Sequence, residues 1–327
     1  MKKMKKILRA IVFTVAVIGL VGCKNNKESM EKQVRIAYFP NVTHTQALIM
    51  KENKLLENKL GDGITVSYTS FNAGPAEVEA IFAGEIDLGY IGPVPAINAN
   101  VKSEGDVQIL ANATNAGAVL VKRKGVEINS AKDLDGKIVA IPQLGNTQHL
   151  CLLSLLAENK LKSKSAGGTV EVVAVANADV MNMMDQGTID AAVVPEPWGT
   201  ILEKKSSAEI VLDYDELFLG GEYPSAVVIA NKDFMDANPD VVKKFLEAHE
   251  EATLYINENK EEAVKLANKQ ILEATGKSIE EDVIKKSFDK IIVDSKLSES
   301  AIRKFAEICK QEGFVEEVPG EELFAPK

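Results

Sequence analysis

The 327 residues carry 38 Lys and Arg against 48 Asp and Glu, for a formal net charge of −10, an acidity that opposes binding to nucleic acid or to an anionic lipid surface. Three cysteines, Cys23, Cys151 and Cys309, are too few and too scattered for a disulfide framework or a metal cluster. There is also no Walker loop and no hydrolase elbow, so no cofactor is expected.

In chain order, Lys2, Lys3, Lys5, Lys6 and Arg9 precede an uncharged stretch from Ala10 to Gly22. That is the layout of a secretory signal, and it is too short for a comfortable membrane span. It closes on Leu-Val-Gly-Cys, which resembles the lipobox of bacterial lipoproteins, so cleavage is expected before Cys23 with lipid on its thiol. Without residues 1–22 and their five positive charges, 305 residues remain with a net charge of −15. Residues 23–33 are polar without an apolar period and read as a flexible tether.

From Val34 strand-like and helix-like segments alternate. "VRIAYFP", "ITVSYTSF", "IDLGYIG" and "VQILANAT" read as strands, separated by helices in "HTQALIMKENKLLENKL", "AEVEAIFAG" and "PAINANVKS". "AVLVKRKGVEINSAKDLDG" reads as a crossing to a second series. There "KIVAIPQ", "VEVVAV", "IDAAVVPE" and "EIVLDYDEL" are strands, and "NTQHLCLLSLLAENKL", "NADVMNMMDQG" and "PWGTILEKK" are helices. Such alternation predicts parallel sheets covered by helices. "GGEYPSAVVIA" then supplies a return strand, and amphipathic helices follow to the end, including one over "SIEEDVIKKSFDKI". The expected organisation is two α/β lobes, 34–118 plus 223–327 and 119–222, the second inserted into the first. His149 in a Leu-rich helix reads as a satisfied core group, and His249 on a charged helix as solvated.

One phrase occurs twice: "GEIDLGYIGPVP" and "GTIDAAVVPEPW". In each, a glycine ends a helix, Asp87 or Asp190 marks a strand start in a structural role, and Pro-x-Pro marks the strand's carboxyl end. Open α/β sheets bind ligands beyond those ends, so the two lobes are expected to face each other across a cleft. The loops "PNVTHTQ", "NAGPAE" and "LGNTQH" lead into helices, whose amino termini hold anions with N–H groups and dipoles.

These residues, with "FNAGPAEVEAIFAGEIDLGYIGPVPAINA", "GKIVAIPQLGNTQ", "VVPEPWGTIL" and "GEYPSAVVIANKDFMDANPDVV", resemble the substrate-binding proteins of nitrate, sulfonate and taurine ABC importers, over most of residues 34 to 245. The resemblance implies an α/β, type II periplasmic-binding-protein fold: two doubly wound lobes, a two-strand hinge and a helical C-terminal coat. It implies an extracytoplasmic, lipid-anchored monomer that closes around a small organic anion, an aliphatic sulfonate or taurine first, and offers it to permease and ATPase subunits. Carried onto this chain, the cleft is lined by His44, Thr45, Gly74, Pro75, Gly92, Pro93, Asn115, Gly145, Asn146, Thr147, Gln148, Glu196, Trp198, Tyr223 and Ser225. His44 is expected to donate to an anion or to a neighbouring loop. Glu196 faces either the ammonium of an amino sulfonate or a hydrogen-bond network of lobe two, and Trp198 is either a cleft or a core aromatic.

Nitrate, bicarbonate or a thiamine-pyrimidine precursor would fit the same fold, as would a ligand-sensing lipoprotein. Pyrimidine-precursor synthases share it too, but they carry a cysteine-rich iron-binding segment that this chain lacks, so a binding protein is expected and not an enzyme.

Overall fold

The structure is a computed structural model, and it describes residues 32–326. The export signal and Cys23 lie outside the described residues. The first sheet begins with β1 (Lys32–Tyr38), β2 (Ile64–Ser70), β3 (Leu88–Ile91) and β4 (Val107–Ala116), with α1 (Thr45–Glu52), α2 (Leu55–Leu60), α3 (Gly74–Phe82) and α4 (Pro93–Lys102) between them. The second sheet follows as β5 (Ala118–Lys122), β6 (Ile138–Ile141), β7 (Glu171–Ala174), β8 (Ala191–Pro195) and β9 (Glu209–Leu212), with α5 (Thr147–Glu158), α6 (Asn177–Asp185) and α7 (Trp198–Lys205). The chain then returns as β10 (Pro224–Asn231), adds α8 (Lys232–Ala237), α9 (Pro239–Glu258), α10 (Lys260–Thr275) and α11 (Glu281–Phe288), and ends with β11 (Ile291–Val293) and α12 (Glu299–Gln311).

Strand order is β11-β4-β10-β3-β1-β2 in one sheet and β7-β6-β8-β5-β9 in the other. The central strands β3, β5 and β8 are buried at every residue, which is why they read as unbroken apolar runs: helices cover both faces. The expectation of purely parallel sheets is corrected. β1 pairs parallel with β3, and β6 with β7 and β8, but β10 runs antiparallel to both β3 and β4, and β5 to both β8 and β9. Two strands escaped the sequence reading. β5 lies inside the stretch taken as a crossing, and β11 begins at the last residue, Ile291, of the helix expected over "SIEEDVIKKSFDKI".

Only Gly117 separates β4 from β5, at φ +81°, and a Cβ there would lie 2.6 Å from Ile291 Cγ2. The return crossing, residues 213–223, is tied to the first where Ala116 N–H donates to the Tyr223 carbonyl at 2.9 Å. α9 buries Val241, Phe245, Ala248, Ala252 and Ile256 at helical spacing against lobe one. His249 sits on that same stripe, so its reading as solvated is corrected. It is 1% exposed, its Nδ1 is 2.8 Å from the Tyr90 hydroxyl, and its Nε2 is 2.8 Å from the Asn112 carbonyl. The carbonyl only accepts, so Nε2 carries the proton and Nδ1 accepts from Tyr90. Burial lowers this imidazole to about 4, which keeps it neutral.

The doubled phrase does the same work in both lobes. Gly84 and Gly187 end their helices at φ +70° and +69°. Asp87 Oδ2 accepts the Arg35 backbone N–H at 2.8 Å, and Asp190 Oδ2 accepts that of Ile138 at 3.0 Å. Each also pairs with an arginine, Arg35 or Arg123. Each aspartate therefore locks the start of its strand to the neighbouring one. Asp87→Ala and Asp190→Ala should each cost about 1–3 kcal/mol by orphaning a backbone donor. In urea titrations the two losses should add, because the sites are in different sheets.

Glu77 on α3 is fully buried, and both its oxygens lack a hydrogen-bond partner among the described residues. Gly89 makes the room, since a Cβ there would stand 2.1 Å from Glu77 Oε1. Burial holds this carboxyl well above its ordinary 4.5. The folded chain thus keeps a proton that the unfolded chain releases, and its stability falls as pH rises above that ordinary value. Glu77→Gln removes this dependence. Scanning calorimetry should find the variant melting roughly 3 °C above the parent at pH 8, with the gap closing toward pH 4.

Candidate functional site

A small cavity lies between the carboxyl ends of the two sheets. Lobe one lines it with Phe39, Asn41, Thr43 and His44 after β1, Asn72, Ala73 and Gly74 after β2, Gly92 and Pro95 after β3, and Ser225 on β10. Lobe two contributes Pro142 after β6, Asn146, Thr147 and Gln148 at the start of α5, Asn177 at the start of α6, and Pro195 at the end of β8. The volume is about 30 Å³, room for roughly one water, and the lobes touch across it: a Cβ on Gly92 would meet Thr147 Oγ1 at 2.4 Å.

Four helices begin at this cavity. The starts of α3, α4 and α6 have no side-chain cap, while Asn146 caps α5 by accepting the His149 N–H at 2.8 Å. Their first-turn N–H groups and dipoles give the cavity a positive potential, although no Lys, Arg, Asp or Glu lines it. His44 is buried and stacked on Phe39 at a ring distance of 4.4 Å, and its Nδ1 accepts the Phe39 N–H at 3.2 Å. The proton therefore sits on Nε2, and burial lowers the ring to about 3, so His44 is a neutral donor at pH 7. Two buried polar atoms of the lining, Thr147 Oγ1 and Asn177 Oδ1, have no hydrogen-bond partner among the described residues. Both come from lobe two.

Of the residues named from sequence, His44, Gly74, Gly92, Asn146, Thr147, Gln148 and Ser225 line the cavity. The others stand elsewhere. The Thr45 hydroxyl donates to the Val42 carbonyl, Pro93 is buried as the first residue of α4, and Asn115 Oδ1 accepts from Asn112 Nδ2 at 3.2 Å. Pro75 and Gly145 line a separate outer groove. Tyr223 is buried in the return crossing against Phe218 and Phe305, and half-buried Trp198 packs on the lobe-two core. Glu196 is fully buried; its Oε2 accepts the Thr200 N–H at 3.1 Å, and its Oε1 is 3.4 Å from Lys290 Nζ. The cavity also uses Asn41, Asn72 and Asn177, which went unnamed. All three follow strand ends, the one signal that could have found them.

Lys290 is the other residue that sequence reasoning missed. It lies between α11 and β11, is 5% exposed, and reaches Glu196 and, at 3.0 Å, Asp213, both of which follow strands of the second sheet. It is a buried cation shared between the lobes.

A family model matches residues 27–271, described as the NMT1-like family. The chain belongs to the NMT1-like family. Among the relatives of this NMT1-like chain, the taurine-binding periplasmic protein of Escherichia coli (strain K12) is 30% identical over 184 residues, 56% of this chain and 55% of that protein. The chain thus spans about half the length of that relative. A putative aliphatic sulfonates-binding protein of Bacillus subtilis (strain 168) is 24% identical over 288 residues, 87% of this chain and 82% of that one. In fold, the chain is similar to the alkanesulfonate-binding protein SsuA from Xanthomonas axonopodis pv. citri bound to MOPS, with a TM-score of 0.72, 21% identity and coverage of 88% and 94%. The fold is the periplasmic-binding-protein fold.

Lys290→Met would leave the buried Glu196 carboxylate without its cation, which should cost about 3 kcal/mol in urea denaturation. Adding Glu196→Gln should restore part of that loss, which a purely steric role for Lys290 would not allow.

Proposed function

We propose that the chain is an extracytoplasmic solute-binding lipoprotein of an ABC importer, anchored through Cys23, which captures a small organic anion of the sulfonate class. In this reading the lobes 34–118 plus 223–327 and 119–222 are the two jaws, and the ligand contacts are His44, Gly74, Gly92, Asn146, Thr147, Gln148 and Ser225, joined by Asn41, Asn72 and Asn177. The observation that carries it is a cavity with four helix starts, a neutral imidazole donor and an unpartnered hydroxyl, Thr147 Oγ1, but no charged side chain. A sulfonate carries one delocalised charge and three acceptor oxygens, which neutral donors satisfy without a basic residue. The relatives named for taurine and aliphatic sulfonates support the same ligand class.

Closure follows from where the donors sit. Lobe one supplies the His44 Nε2–H and lobe two supplies the Thr147 hydroxyl, so an anion meets donors of both only with the lobes together. Ligand free energy therefore favours the closed form, which is the one offered to the permease.

The chain from residue 24 onward keeps every described element and serves for the test. At about 100 times its Kd, a sulfonate should stabilise it by about 2.7 kcal/mol in thermal-shift assays, while nitrate, bicarbonate, phosphonates and a thiamine-pyrimidine precursor do not. Thr147→Val should weaken the response about tenfold or more through loss of one hydrogen bond to a charged group. A shift with another ligand of the panel and none with sulfonates would reassign the ligand class.

A further inference from the structure

The lobes are joined by charge along one seam. Among the described residues six ion pairs cross between them, and all six run from residues 196–213 of the second lobe to residues 280–290 of the C-terminal coat. Lys204 at the end of α7 meets Glu280 at 2.9 Å and also Asp282, Lys205 meets Glu280 at 3.4 Å, and Glu203 meets Lys286 at 2.6 Å. Lys290 meets Glu196 at 3.4 Å and Asp213 at 3.0 Å. Taken in chain order, Glu280, Asp282, Lys286 and Lys290 therefore face base, base, acid and acid. Such an order of signs fits one alignment of coat on lobe and opposes others. Where Gly92 faces Thr147, Pro75 faces Gly145 and the His149 ring, kept neutral by burial, lies 5.0 Å from that of Phe314, the lobes touch without charge.

The six pairs differ in how far they stand from the crossings. Ile291 pairs with Ala116, and Gly117 accepts the Glu196 N–H at 2.6 Å, so Lys290 and Glu196 sit at the crossing itself. Glu280 and Asp282 stand at the far end of α11, about 12 Å along a helix from Lys290. A turn of about 15° about the crossing moves groups at that radius by about 3 Å, enough to put water between them. The side chains of these outer pairs are 37% to 67% exposed, so salt screens them, while the inner pair of Lys290 and Glu196 is shielded by burial.

Resting on the closure reading above, we propose that Glu203, Lys204, Lys205, Glu280, Asp282 and Lys286 form an ion-pair clasp that biases the lobes toward closure, with Lys290 as its fixed end. None of these side chains lines the cavity, so they are positioning residues that act on capture through the lobes. A single exposed pair contributes little, but the outer pairs form and part together, and their sum sets the balance between open and closed. Capture then strengthens at low ionic strength and weakens as salt rises.

Spin labels at Phe82→Cys and Leu144→Cys, exposed positions on either lobe, report the gap between the lobes by pulsed electron double resonance. The chain from residue 24 serves, since its Cys151 and Cys309 are buried from the label. Raising NaCl from about 50 mM to about 500 mM should lower the ratio of closed to open chains at least about threefold. Lys204→Glu with Lys286→Glu, both at exposed positions, turns attraction into repulsion and should lower that ratio about tenfold at low salt, with salt now raising it. Lys286→Glu joined to Glu203→Lys exchanges the signs of one pair and should return the ratio to within about twofold of the parent, which a merely structural role for Lys286 would not allow. A ratio indifferent to the double reversal overturns the clasp. If saturating 1-propanesulfonate still shortens the distance in that case, the closure reading stands, and if it does not, both fall.

Discussion

The first sheet is closed by a strand that arrives late. β10 lies antiparallel between β3 and β4, with Val228 opposite Tyr90 on one side and Ala111 on the other, so the sheet is incomplete until the chain has come back. Everything between β4 and β10 must therefore leave the sheet and return to the same edge. Gly117 is the whole of the outward link, and it also accepts the Glu196 N–H at 2.6 Å, which ties the end of β8 to the crossing. Because both crossings sit at the same end, the two sheets present their carboxyl ends to one another. The cavity is a consequence of that topology, and Ser225 reaches it only because β10 starts at the crossing.

The second consequence is electrostatic. An acidic chain lines its cavity without spending basic side chains on it, and its lysines serve elsewhere. Between α7 and α11, Lys204 meets Glu280 at 2.9 Å and Lys286 meets Glu203 at 2.6 Å, pairs that run from the second lobe to the C-terminal coat. Exposed pairs of this kind contribute little individually. Lys290 differs because it is buried beside the fully buried Glu196, so that carboxylate cannot be left to solvent. That one side chain explains why the acid of Pro-Glu-Pro is turned away from the cavity, and it comes from a segment far from that motif in sequence.

Much of this was legible before the structure. The strand ends, the helix starts and the repeated Gly-x-Ile-Asp depend on local chemistry: glycine ending a helix, aspartate holding a neighbouring strand, proline stopping a ladder. They lie where their residues put them. What was not legible depends on partners distant in sequence. β5 and β11 are short strands made by pairing with β8, β9 and β4, and their apolar residues fit a crossing or a helix end equally well. His249 has charged neighbours along its helix, but Tyr90 and Asn112 decide its environment. Glu196 was left between two readings for the same reason, since its cation lies on another lobe.

The two copies of the doubled phrase diverge where they meet the cavity. The first ends in Gly92 and Pro93, and the missing side chain at Gly92 is what lets Thr147 of the other lobe come within contact. The second ends in Pro195, after which Glu196 turns into the protein and Trp198 starts a helix packed on the lobe-two core. The more eye-catching residues of the second copy, Glu196 and Trp198, therefore do not line the cavity. What faces the bare backbone of the first is Thr147, at a helix start of the other lobe. A cavity assembled this way offers helix starts and neutral polar groups drawn from both sheets, and it does so with no charged side chain in its lining.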